Sequence, residues 1–259
     1  MVLLMYRLEH VGKVFTDGTV AVDDVTLEIQ AGERVAVIGP SGAGKTTLFR
    51  LLNATLHPTS GSLWFEGADM ESLSGRRLRQ LRRRIGTVYQ QHNLVPQLRV
   101  IHNVLAGRLG RWSLPKALFS LVSPQERFLA LRALEQVGIP EKLYTRTAHL
   151  SGGQQQRVAI ARALVQDPDV ILADEPVSSV DPTLGRTIIE LLLQLADTHN
   201  KTLVANLHAV SFALDLFPRV IGFRQGGVAF DLPPAAISDA VMTDLYVGMA
   251  TSPVLSEYT

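Results

Sequence analysis

Eight consecutive residues, Gly39, Pro40, Ser41, Gly42, Ala43, Gly44, Lys45 and Thr46, constrain this chain more than any other stretch. They fit the pattern G-x-x-x-x-G-K-[ST] at every position. The apolar run RVAVI (residues 34–38) stands directly before them and a run with three leucines (residues 47–53) directly after. Short apolar runs predict buried strands and the longer run predicts a helix, so the expected local structure is strand, loop, helix. Glycines let such a loop curl until successive N–H groups point inward at a phosphate. The following helix turns its positive end on the same spot. On this pattern Lys45 reaches the β- and γ-phosphates of a nucleotide and the Thr46 hydroxyl holds magnesium. Thr47 is a candidate contact to the α-phosphate.

A second apolar run, Val170-Ile171-Leu172-Ala173, leads straight into Asp174-Glu175-Pro176. Two carboxylates at the end of a buried strand are costly unless cations or donors meet them. Asp174 fits the acid that organises magnesium in phosphate-loop ATPases, and Glu175 fits the base that polarises an attacking water. Both acids can also cap the helix that follows.

The remaining pattern is α/β. Residues 6–11, 20–25, 26–29 and 61–65 read as strands, with a turn at Asp17-Gly18, and form a small antiparallel lobe. From about residue 95 to 160 helical stretches dominate: 100–109, 114–121, and 124–137 with Pro124 at its start. Strands at 85–89, 170–173, 202–205 and 220–223, with a helix at 183–195, predict a mostly parallel sheet covered by helices. Gln225-Gly226-Gly227 reads as a hairpin turn, and beyond Met242 a short helical piece precedes a polar tail, residues 248–259. The arginine-rich run 76–84, with Leu78 and Leu81 three apart, reads as an amphipathic surface helix. Anionic lipid headgroups are an alternative contact for it.

With 25 Lys and Arg against 24 Asp and Glu, the chain has no global attraction to nucleic acid, and none is expected as a partner. It has no cysteine, which excludes disulfides and suits a reducing compartment. No amino-terminal signal is evident, and no run reaches the roughly 18 apolar residues that span a bilayer. A role at a membrane therefore has to come through a partner.

Leu150-Ser151-Gly152-Gly153-Gln154, continuing through Arg157 to Ala163, resembles the signature sequence of the ATP-binding cassette family. Ser151 and the two glycines stand before a helix and make a second anion-binding helix start. The resemblance implies a P-loop fold with a RecA-like, mostly parallel sheet core, an antiparallel lobe and a helical lobe, spanning residues 6–247. It implies ATP and magnesium as ligands, and a head-to-tail dimer in which each ATP lies between one copy's phosphate loop and the other's signature. By the same resemblance Gln90 contacts magnesium or water and senses a membrane partner, and Ser179-Val180-Asp181 crosses the dimer interface. His208 holds the γ-phosphate, and Phe15 stacks on adenine. These elements occur in the family's order between residues 15 and 208.

The interval between Lys45 and Leu150 carries prolines and is too short for the coiled coils of DNA-maintenance relatives. The single set of motifs differs from the doubled cassettes of ribosome-acting ones. The best fit is the separate ATPase subunit of an importer, peripheral on the cytoplasmic face of the cell (inner) membrane; a lipoprotein-release or export ATPase is the alternative. Asn93-Leu94-Val95, residues 103–110, Trp112 and the 114–121 segment resemble phosphonate importer ATPases, as do Leu51-Leu52-Asn53 and residues 82–86. Arg99 replaces the usual threonine of that group. Its members serve phosphonate, phosphite, hypophosphite or phosphate import, with a permease dimer and an extracytoplasmic binding protein that recognises the substrate.

Overall fold

The computed structural model describes residues 3–177 and 181–246. Ser179 and Val180, expected to cross the dimer interface, and the tail lie outside them. The chain opens with β1 (Leu4–Val14), β2 (Val20–Gln30), β3 (Arg34–Ile38) and α1 (Lys45–Leu52). Next come β4 (Ser60–Phe65), β5 (Ala68–Asp69), α2 (Gly75–Arg83) and β6 (Ile85–Tyr89). Helices α3 (Val100–Leu105), α4 (Leu114–Val122), α5 (Arg127–Gln136) and α6 (Gly152–Val165) follow. The last part is β7 (Val170–Asp174), α7 (Pro182–Thr198), β8 (Thr202–Asn206), α8 (Val210–Leu216), β9 (Arg219–Arg224), β10 (Gly227–Leu232) and α9 (Asp239–Tyr246).

Two sheets result. One is antiparallel, in the order β2-β1-β4-β5; the other runs β10-β9-β3-β8-β7-β6 and is parallel except for β10. Strand β3 shows why two cores form. All of Val35, Ala36, Val37 and Ile38 are buried, as a central parallel strand covered on both faces requires. Val35 and Val37 face the core shared with the antiparallel sheet and α1, among Tyr6, Phe49, Phe65 and Phe223. Ala36 and Ile38 face the other core, which α3, α5, α6 and α7 cover through Val104, Leu134, Ile160 and Ile188.

Three sequence expectations shift. The strands expected at 20–25 and 26–29 are one strand, β2. Its buried positions run Val22, Val25, Leu27, Ile29, and the single three-residue step falls across Asp24, whose φ is 50°. A bulge there resets the alternation without ending the strand. The helix expected over 100–109 stops at Leu105 and tightens into a 3-10 turn, Ala106–Arg108. Gly107 sits there because a Cβ would stand 2.2 Å from the Arg162 carbonyl oxygen on α6. Pro124 lies ahead of α5 rather than in its first turn; Glu126, with φ 56°, precedes the helix. Helix α2 does carry the arginine run, with Leu81 buried, Arg83 half-buried and Arg76, Arg77, Arg79 and Arg82 exposed.

Glycine is required at position 61, where β4 meets β1. Its φ is +75° and a Cβ would lie 2.1 Å from the His10 carbonyl oxygen. Gly61→Ala is expected to destabilise the fold by about 2 kcal/mol through strain, read as a lower thermal midpoint, with nucleotide affinity in the folded fraction unchanged.

Candidate functional site

The register of the parallel sheet assembles the site. Val37 pairs with Asn206, Asn206 with Asp174, and Asp174 with Tyr89. Strands β8, β7 and β6 therefore end on one row, β3 runs one residue further to Ile38, and the residues that follow leave the sheet along the same edge. Those residues are Gly39 after β3, His208 after β8, Glu175 after β7 and Gln90 after β6. The carboxyl ends of parallel strands are where open α/β sheets bind ligands.

The phosphate loop is wedged into place by two close backbone approaches. A Cβ on Gly39 (φ +148°) would meet the Phe223 carbonyl oxygen at 2.0 Å, and one on Gly44 (φ +103°) would meet that of Ala21 at 2.0 Å. The β9–β10 turn completes the clamp. Gly226 N–H donates to the Ala43 carbonyl at 2.9 Å, while Asp23 N–H donates to the Gly226 carbonyl at 2.8 Å. One turn thus ties the loop to β2 and to the core sheet. Ser41, Gly42 and Thr46 are exposed at the rim, and Pro40 and Thr47 are half-buried.

Lys45 is 4% exposed, and its ammonium donates to the carbonyls of Gly39 (2.6 Å) and Pro40 (2.8 Å). Burial pulls its pKa down, while the carboxylates of Glu175 and Asp174 push it up. Asp174 behaves in the opposite sense. Burial raises its pKa, the adjacent Glu175 charge adds to that, and the 2.8 Å hydrogen bond donated by the Asn206 amide opposes both, with Lys45 helping. Asn206 was not singled out in the sequence. Fully buried at the end of β8, it orients Asp174 from the next strand.

Glu175 takes a left-handed conformation, φ 51°, as its N–H donates to the Asn206 carbonyl at 3.1 Å. A non-glycine residue there is uncommon and directs the side chain away from the strand path. Its Oε1 lies 2.6 Å from His208 Nε2. His208 is positioned by the preceding residue, since Leu207 N–H donates to the Val37 carbonyl at 3.0 Å. The structure thereby brings together Gly39, Lys45, Asp174, Glu175 and His208, and sets Gln90 exposed at the same sheet edge.

The signature belongs to the helical layer. Ser151 caps α6 in a reciprocal box: its hydroxyl accepts from Gln154 N–H at 3.3 Å and the Gln154 side-chain oxygen accepts from Ser151 N–H at 3.1 Å. The glycines differ. A Cβ on Gly153 would collide with Leu184 of α7 at 2.5 Å, whereas nothing lies within 4 Å of that position on Gly152. Gly153 is needed for packing within the chain; Gly152 and Ser151 are exposed. Asp181 caps α7, accepting from Leu184 N–H at 3.0 Å. Phe15 starts the β1–β2 turn, half-buried, with the Lys13 ammonium 5.9 Å from its ring centroid.

Among the described residues no group of three or more His, Cys, Asp or Glu side chains forms a metal cage. One half-buried carboxylate, Asp174, with an exposed hydroxyl, Thr46, at the loop suits a hard cation that keeps waters and shares phosphate oxygens, as magnesium does. The donor set fits.

The sequence profile described as ABC transporter matches residues 22–178. The phosphonates import ATP-binding protein PhnC 1 of Pseudomonas aeruginosa is 48% identical over 239 residues, covering 92% of this chain and 90% of that protein. PhnC of Lactococcus lactis is 40% identical over 242 residues, covering 93% and 98%. The dimeric structure of a bacterial ABC transporter cassette superposes with a TM-score of 0.77 at 32% identity, covering 90% of this chain and 100% of that one. The fold, the loop clamped at the strand edge and these likenesses agree: this chain belongs to the ABC transporter family, as one of its ATP-hydrolysing cassettes.

Proposed function

We propose that this chain is the energy-coupling subunit of an importer for phosphonate or a related phosphorus oxyanion (phosphite, hypophosphite or phosphate). The observation that carries this reading is the 40–48% identity to proteins named for phosphonate import, over at least nine-tenths of both chains. The oxyanion itself meets other subunits, a permease dimer and an extracytoplasmic binding protein, while this chain sits peripherally on the cytoplasmic face. Residues 6–247 form the cassette, with a helical lobe at about 95–160.

Two copies close head to tail, with residues 151–154 of one over the phosphate loop of the other. The exposed Ser151 and the open space at Gly152 support this closure, and the dimeric form of a similar cassette supports it too. Asp181 lies at that interface and Phe15 stacks on the base.

In the hydrolytic step, Lys45 and the backbone N–H groups of residues 41–46 hold the phosphates against the strand edge. Thr46, Asp174 and Gln90 would hold magnesium, which would supply positive charge to the phosphate oxygens. Glu175 orients the attacking water and accepts its proton, and His208 holds the Glu175 carboxylate through the 2.6 Å contact. A groove of about 310 Å³, lined by Asn53, Arg82, Tyr89, Asn93, Gly107 and Arg162, opens between β6 and α6. A permease element seated there touches Tyr89, one residue from Gln90, which supports coupling of substrate transport to the nucleotide.

Glu175→Gln is expected to lower phosphate release at least about 100-fold while leaving ATP binding and dimer formation, followed by size exclusion, intact. Normal turnover would remove Glu175 from its role. Asp174 works as the carboxylate, so activity is present above its pKa and lost as pH falls through it. Asn206→Leu withdraws a donor that holds this already raised pKa down. Hydrolysis by the variant is therefore expected to fall about tenfold at the acid end of its pH profile, from a charged hydrogen bond worth ~1.5 kcal/mol, and less at the alkaline end. A uniform loss across pH would point to misplacement instead. For the transport reading, the tagged chain captured from detergent-solubilised membranes is expected to bring a multi-spanning permease and a binding protein that takes phosphorus oxyanions. Recovery of soluble proteins alone would overturn import.

A further inference from the structure

Helix α4 turns its polar and small residues inward and its large apolar residues outward. Leu114 (73% exposed), Leu118 (58%), Leu121 (58%) and Val122 (87%) share one helical face, flanked by Phe119 (59%). Phe128, at the start of α5, is also 59% exposed. The inward side is Lys116, Ala117 and buried Ser120. This orientation is fixed by polar contacts. Glu126 accepts from Lys116, from Trp112 Nε1 at 3.2 Å and from Arg108 Nε at 3.1 Å, and Gln125 N–H donates to Ser120 Oγ at 3.3 Å.

The segment that carries α4 is strongly basic, although the chain as a whole is nearly neutral. Residues 75–132 contain twelve Arg and Lys side chains and one carboxylate, Glu126, which α4 and its neighbours already engage. The rest of the chain holds 13 basic and 23 acidic residues. Helix α2 adjoins the approach to α4, since a Cβ on Gly110 would stand 3.3 Å from Arg83 Cγ. Arg76, Arg77 and Arg79 on α2 are exposed, as is Arg111, which reaches the Gln166 and Asp167 carbonyls.

An outward apolar face edged by phenylalanine and flanked by arginines has the composition of a helix that lies in a membrane interface. We propose that the outer face of α4, together with the arginines of α2 and Arg111, binds directly to an anionic lipid bilayer. Anionic headgroups satisfy the cations while the acyl boundary takes Leu114, Leu118, Leu121 and Val122. A neutral apolar partner would leave the arginines unmatched. This contact goes beyond nucleotide hydrolysis and does not depend on which substrate the transporter carries.

The test is co-sedimentation of the full chain with vesicles of phosphatidylglycerol and phosphatidylcholine, against phosphatidylcholine alone. Binding is expected with the anionic vesicles only, weakening as salt is raised. Arg76→Glu with Arg79→Glu is expected to weaken it by about fivefold or more per residue. Leu118→Asp with Leu121→Asp is expected to abolish it while thermal midpoint and ATP hydrolysis in solution stay unchanged, which separates loss of contact from loss of fold. Absence of binding to anionic vesicles, or binding that the α4 pair leaves intact, would overturn the proposal. So would concentration-dependent self-association in ultracentrifugation that the α4 pair removes while vesicle binding is lacking; the face would then be a contact between copies.

Discussion

Four parallel strands held in one register, with Val37, Asn206, Asp174 and Tyr89 on the same row, decide where every group of the candidate site can go. Strands β3, β8 and β7 are buried on both faces, so a slip of one residue would exchange the side chains between two different cores. The register is therefore held by packing on both sides of the sheet. Residues just past the row inherit that precision without much packing of their own. Glu175 departs from the strand in a left-handed conformation and His208 follows a single anchoring bond to Val37. The chemistry stands on the sheet edge, and the sheet edge stands on the two cores.

Electrostatics at that edge are unfavourable by construction. Lys45 is buried and its ammonium is disfavoured, and Asp174 is half-buried and its carboxylate is disfavoured by desolvation. Their opposite charges relieve part of the cost, and the Asn206 amide relieves more. A phosphate group with a divalent cation supplies the charges that such an edge lacks. Local strain and desolvation are concentrated where a ligand can relieve them, as is common at functional sites.

The motifs that lie within one short stretch were legible from the sequence: the phosphate loop, the strand ending in Asp174-Glu175, and the start of α6. What needed the fold was anything depending on two strands at once. Asn206 closes a run, TLVAN, that reads simply as a buried strand; its service to Asp174 exists only once β7 and β8 are in register. The bulge at Asp24 likewise hides from the sequence, because a three-residue step in the alternation looks the same as a break between strands. Helix α4 was recognisable as a helix, but not which way it faces. Apolar residues at helical spacing normally turn inward, and the contacts of Glu126 with Lys116, Trp112 and Arg108, with that of Gln125 to Ser120, reverse that.

The clamp on the phosphate loop has a consequence for biosynthesis. Its carbonyl at Ala43 is met by Gly226, and its Gly39 leans on Phe223, so a motif near the start of the chain is finished by a hairpin near its end. Contacts this far apart in sequence form only after the intervening chain is available. A ribosome releasing this protein residue by residue must expose the β9–β10 turn before the loop can take its final shape. The nucleotide site is thus among the last parts of the molecule to mature, and a nascent chain that already displays all the nucleotide motifs still has an unclamped loop.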